Sequence, residues 1–158
     1  MSMIRVFFDT NVLVYAHDES STFHAESATI LNYACVSEIR GVIAEQNLVE
    51  LYRILTNASA MTGNPLTPAD TKSLIKQTYL NGNIEIIYPT SLSLNKTFEL
   101  AVETNAMSAR IFDIRLASLV LDAKVDYFAT YNTKDFKSIN ALCPLTPREI
   151  IVAIANRL

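Results

Sequence analysis

Four carboxylates stand apart from the other acids of the chain: Asp9, Glu50, Asp113 and Asp135. Asp9 ends the apolar run Ile4–Phe8, inside Phe7-Phe8-Asp9-Thr10-Asn11, and Asp135 follows a second run within Thr130-Tyr131-Asn132-Thr133-Lys134-Asp135-Phe136. Glu50 lies among the core-directed Leu48, Leu51 and Leu55, and Asp113 stands three residues before an apolar repeat that begins at Leu116. Each has a bland reading: Asp9 as a helix cap or turn, Glu50 as a solvated helical acid, Asp113 as an N-cap, Asp135 as a loop acid. Glu38 and Glu45 compete with Glu50, but Glu45 suits the first turn of a helix, where the dipole favours an acid. If one sheet edge gathered all four, they would repel one another and need a proton or a cation to coexist. Oxygen ligands that share their ion with water suit Mg²⁺ or Mn²⁺ rather than zinc. Such an ion can activate water and offset charge on a phosphodiester.

The elements that must position these acids alternate. Strands are expected at 4–8, 41–44, 84–88 and 126–130, with a shorter one near 142–145. Helices are expected over 22–36, through Leu48-Leu51-Tyr52-Leu55, after the Thr67-Pro68 cap, from Ser91 or Ser93 towards Thr104, over 114–123, and after Thr146-Pro147. That alternation predicts a parallel sheet covered by helices on both faces, with reactive groups at the carboxyl ends of the strands. The carboxylates are expected within a few ångströms of one another there. An apolar groove suited to an amphipathic partner helix is expected between segments 22–36 and 48–55.

Length and composition bound the rest. The chain has 158 residues, half of them hydrophobic and only 18% charged, with a mean hydropathy of +0.21. These values describe one domain, 1–158, with an aliphatic core, and exclude a disordered chain. A formal charge of −3 excludes binding to nucleic acid by a global basic field. Cys35 and Cys143 are isolated and match neither a disulfide framework nor a zinc site. The N-terminal apolar run is too short for a signal peptide, and no run approaches a membrane span, so a cytoplasmic protein with no membrane association is expected. His17 reads as a solvent-facing loop residue. The seven Tyr and seven Phe read as core and not as a base-stacking platform.

Taken in order, the motifs carry a resemblance. Segment 7–16 resembles the opening motif of PIN-domain ribonucleases, Glu50 before Leu-Tyr-Arg-Ile-Leu-Thr-Asn resembles their second acidic motif, and Asp113 with segment 129–136 resembles their third and fourth. The resemblance implies a three-layer α/β/α sandwich around a parallel sheet, cutting RNA with Mg²⁺ or Mn²⁺. It further implies a VapC-like toxin, held by an antitoxin protein and forming a homodimer. By position, Asp9, Glu50, Asp113 and Asp135 would be the catalytic, metal-holding carboxylates. Asn132 stands where many relatives have Asp, which leaves Asp135 as an outer ligand and Asn132 as its positioning partner. Thr10, Asn11, Thr130 and Asn132 would orient carboxylates or waters. Arg53, Arg115 and Lys134, with Arg110 and Lys137 nearby, would contact RNA phosphates. Two rival functions remain. A haloacid-dehalogenase-like phosphatase would want an acid at position 11, which is Asn; a non-catalytic PIN-like scaffold would bind RNA or protein without cutting.

Overall fold

A computed structural model describes residues 2–157. Its elements run β1 (Arg5–Phe8), α1 (Thr10–His17), α2 (His24–Cys35), β2 (Arg40–Ala44), α3 (Glu45–Leu55), α4 (Pro68–Ile75), β3 (Glu85–Ile87), α5 (Ser91–Glu103), α6 (Arg110–Asp122), β4 (Tyr127–Ala129), α7 (Thr133–Phe136), β5 (Pro144–Leu145) and α8 (Pro147–Ala155). A π-helical segment, Lys76–Leu80, continues α4.

The five strands form one parallel sheet in the order β3-β2-β1-β4-β5. Side chains alternate across it. Val6, Phe8 and Ile43 enter one core with residues of α1, α2 and α3. Phe7, Val42 and Phe128 enter the other with residues of α6 and with Phe136. There the Phe128 ring meets Phe7 and Phe136 edge-on, at 6.0 and 5.0 Å between centroids. Helices therefore cover both faces, as a parallel sheet requires. Gly41 permits the close approach of α2 to β2, since a Cβ there would stand 2.7 Å from Ala34 Cβ.

Chain order reverses across the β1–β4 pair, because β1 leads outward to β2 and β3 whereas β4 and β5 lie on its other side. The carboxyl ends of two such strands border a crevice that the sheet itself cannot fill. Asp9 follows β1 and Thr130 follows β4, so both stand at that crevice.

Several elements differ from the sequence reading. Segment 10–17 is a helix capped by Asp9, whose carboxylate accepts the Thr10 amide proton. Val12, Leu13, Val14 and Ala16 are all buried there, so α1 lacks the polar face from which periodicity is read. Helix α6 starts at Arg110, which places Asp113 in its first turn instead of at its cap. Segment 133–136 is a short helix, not a loop. His17 is not a solvent-facing loop residue: it ends α1 and is hydrogen-bonded through Nε2 to the hydroxyl of the fully buried Tyr79, at 2.7 Å. No helix among the described residues is long and apolar enough to cross a membrane.

Candidate active site

Asp9 is the buried centre of the crevice, 8% exposed. Its Oδ1 accepts from the Thr10 amide at 2.8 Å and its Oδ2 from the Thr130 hydroxyl at 2.7 Å, so the carboxylate ties the end of β1 to the end of β4. Burial pushes its pKa up to about 6; those two hydrogen bonds oppose the rise, and the negative charges of Glu50 and Asp113 add to it.

Helix α3 supplies Glu50. The Thr10 hydroxyl donates to its Oε2 at 2.7 Å, and the Gln46 amide donates to Oε1 at 2.6 Å. Beneath them lies Asn47, fully buried. Its Oδ1 accepts the Ala44 amide proton at 2.8 Å, and its Nδ2 donates to the Thr10 hydroxyl oxygen at 2.9 Å. Asn47 therefore locks the β2–α3 corner to the start of α1 and sets the hydroxyl that orients Glu50. Asn47 and Gln46 are site residues that the sequence does not single out, and Arg110, expected to meet RNA, instead engages Asp113. The one signal for Asn47 is a small amide at the third position of a helix that follows a strand.

Asp113 is half-buried, and Arg110 Nη1 donates to its Oδ2 at 3.1 Å. The same guanidinium donates to the backbone carbonyl of Asp135 and lies 6.0 Å from the Phe136 ring centre. Asp9, Thr10, Asn11, Gln46, Glu50, Asp113 and Asn132 share one cavity of about 250 Å³ with Ile54, Phe112, Leu116 and Phe136.

Asp135 does not reach it. The buried Phe136 side chain anchors α7 in the second core, and its exposed neighbour Asp135 is left outside the cavity, offering the site only a carbonyl to Arg110. Asn132 does line the cavity, its backbone amide donating to the Thr130 hydroxyl oxygen at 3.0 Å. Asn11 accepts the Tyr131 amide proton at 3.4 Å. Of the basic residues expected to meet RNA, Arg53 and Lys134 are exposed and outside the cavity, and Arg115 donates to Gln46 Oε1 at 2.6 Å on its flank.

The donor set fits a hard divalent cation. It is made of oxygen, its central carboxylate is buried with no basic partner among the described residues, and two further acids border the same cavity. The acids are less converged than the sequence reading expects: among the described residues no three Asp, Glu, His or Cys side chains surround one point. Arg110 holds Asp113, while Thr10 and Gln46 hold Glu50.

Helix α1 packs against both α2 and α3, and so stands between segments 22–36 and 48–55, where the groove is expected. An apolar cleft of about 510 Å³ lies instead between α3 and α4, lined by Tyr52, Pro68, Ala69, Ile75 and Leu80 with the stems of Lys72 and Lys76.

Comparison with known proteins agrees with this architecture. No curated protein matches the sequence at a significant level. Among solved structures, the fold is similar to the sarcin–ricin-loop-cleaving toxin VapC20 of Mycobacterium tuberculosis, at 9% identity and TM-score 0.61 over 85% of this chain and 95% of that one. It is similar to VapBC2 of Rickettsia felis bound to a promoter DNA fragment, at 17% identity and TM-score 0.62 over 90% and 98%. VapBC-1 of nontypeable Haemophilus influenzae matches at 16% identity and TM-score 0.62 over 92% and 99%. The PIN domain model matches residues 6–142, from within β1 past the last residue of the cavity, and the chain belongs to the PIN domain family.

Proposed function

We propose that this chain is a divalent-metal-dependent endoribonuclease and the toxin of a VapBC-type pair. One observation carries the reading: Asp9, Glu50 and Asp113 reach a single cavity at the strand-order reversal of a PIN-family sheet. These three carboxylates would hold Mg²⁺ or Mn²⁺, with Asn132 as a neutral fourth member. When bound, the ion supplies positive charge that activates water and offsets charge on the phosphodiester.

The chain's own groups prepare that site. Thr130 and the Thr10 amide fix the Asp9 carboxylate, and the hydroxyl of Thr10, set by Asn47, fixes Glu50. Positioning of this kind removes the reorganisation that free side chains would need. Arg110, already at the cavity edge, is the base best placed to meet a phosphate; Arg53, Arg115 and Lys134 would contact the strand farther out. An amphipathic antitoxin helix would suit the α3–α4 cleft, and the chain would act in the cytoplasm as a homodimer and as one domain.

Incubation of the purified chain with single-stranded RNA, with Mg²⁺ or Mn²⁺ and with EDTA, tests the reading. Internal cleavage that needs the ion is expected and should vanish in Asp9→Asn. Cleavage that persists in EDTA, or at full rate in the variant, would overturn it.

A further inference from the structure

Phe112 lies one residue before Asp113 on α6, yet it belongs to neither core. It is 61% exposed, and its side chain lines the cavity that holds the three carboxylates. The next two positions of the helix have other occupations: Asp113 pairs with Arg110, and Ile114 is fully buried. An aromatic ring mostly exposed at the rim of a cavity that mixes carboxylates with Ile54, Leu116 and Phe136 is reachable by a planar ligand from solvent.

The charge of the site gives that ring a task. Asp9, Glu50 and Asp113 repel a phosphate backbone, the Arg110 guanidinium is engaged by Asp113 and that of Arg115 by Gln46, and the whole chain carries −3. Long-range attraction therefore contributes little to holding a nucleic acid here. Stacking of a base on an aromatic face is independent of charge and is worth roughly ten- to a hundredfold in affinity per base. It also demands a base that is not already stacked and paired in a duplex.

We infer that Phe112 is the stacking platform for an unpaired nucleobase next to the cleaved phosphodiester, and that it selects single-stranded over duplex RNA. The inference rests on the endoribonuclease reading above. It departs from the sequence reading, in which the Tyr and Phe residues mostly belong to the core and form no base-stacking platform.

The test compares kcat/KM of wild type, Phe112→Ala, Phe112→Leu and Phe112→Trp on an unstructured RNA and on the same sequence closed into a hairpin stem. Because Phe112 is outside both cores, all four proteins should melt within a few degrees of one another. Ala and Leu should lower cleavage of the unstructured RNA about tenfold or more, shrink its advantage over the stem, and act mainly on KM; Trp should restore both. An abasic residue walked along the strand should find one position where wild type falls to the level of Phe112→Ala and the variant loses nothing more. Wild-type cleavage with an unchanged Phe112→Ala preference would overturn the stacking role and leave the nuclease reading standing. Absence of cleavage by wild type on either RNA would remove both.

Discussion

Asp9→Asn separates the electrostatic strain of the crevice from its chemistry. The Asp9 pKa rises from 3.8 to about 6 on folding, chiefly through burial. A carboxyl group whose folded pKa lies above its unfolded one favours folding less as pH rises between the two values, so the ionised form costs about 3 kcal/mol at pH 7. Asn removes that cost and keeps the shape. Its Oδ1 can still accept the Thr10 amide proton, but the Thr130 hydroxyl loses its acceptor, a loss of about 1 kcal/mol. The variant should therefore be more stable than wild type by about 2 kcal/mol in EDTA at pH 7, or roughly 4–8 °C in Tm for a chain of this length. At pH 4, where wild-type Asp9 is largely protonated, the advantage should disappear. Saturating Mg²⁺ should raise the wild-type Tm more than that of the variant, because only wild type keeps the buried ligand. Thermal melts at both pH values, with and without Mg²⁺, measure all three effects. A variant that melts lower than wild type at pH 7 in EDTA would refute the reasoning, since Asp9 would then be a structural cap and not a destabilised buried charge.

Other perturbations have equally definite outcomes. Burial of His17, with the charge of His24 adding to it, lowers its pKa from 6.5 to about 4; the stability it contributes is whole above pH 6.5 and declines as pH falls towards 4, by about 3 kcal/mol, so His17→Gln should flatten the acid limb of the denaturation curve. Asn47→Ala should lower Tm by roughly 4–12 °C in calorimetry, because the buried Ala44 amide loses its acceptor at a cost of about 2–3 kcal/mol. Arg110→Met releases Asp113 from a half-exposed ion pair worth under about 1 kcal/mol, and should tighten Mn²⁺ binding up to about fivefold by calorimetric titration.

Legibility in the sequence follows local physics. The abrupt stop of the apolar run at Phe8 marks both the end of β1 and the acid that follows it, because a charge cannot continue a strand buried on two faces. The caps at Thr67 and Thr146 were equally plain, each accepting an amide proton three residues on, with Pro at the first helical position. Helix α1 was hidden because burial on nearly all sides leaves no polar stripe. Which of Asp135 and Asn132 borders the cavity is illegible for a related reason: burial of Phe136, a tertiary event, sets which residues of the β4–α7 connection meet it. Asn47 has only a weak local signature, an amide three residues after the end of β2, because its other partner, Thr10, comes from the distant start of α1. Phe112 sits on a helix with apolar residues on several faces, so periodicity could not tell the buried Ile114 and Leu116 from an exposed ring.

An anomalous difference map from a crystal of the wild-type chain soaked in Mn²⁺ tests the central claim most directly. The account predicts a peak at direct-ligand distance from Asp9, with Glu50 and Asp113 as the other carboxylates around it and Asn132 closer than Asp135. A cavity without a peak at saturating Mn²⁺, or a peak whose ligands exclude Asp9, would contradict it.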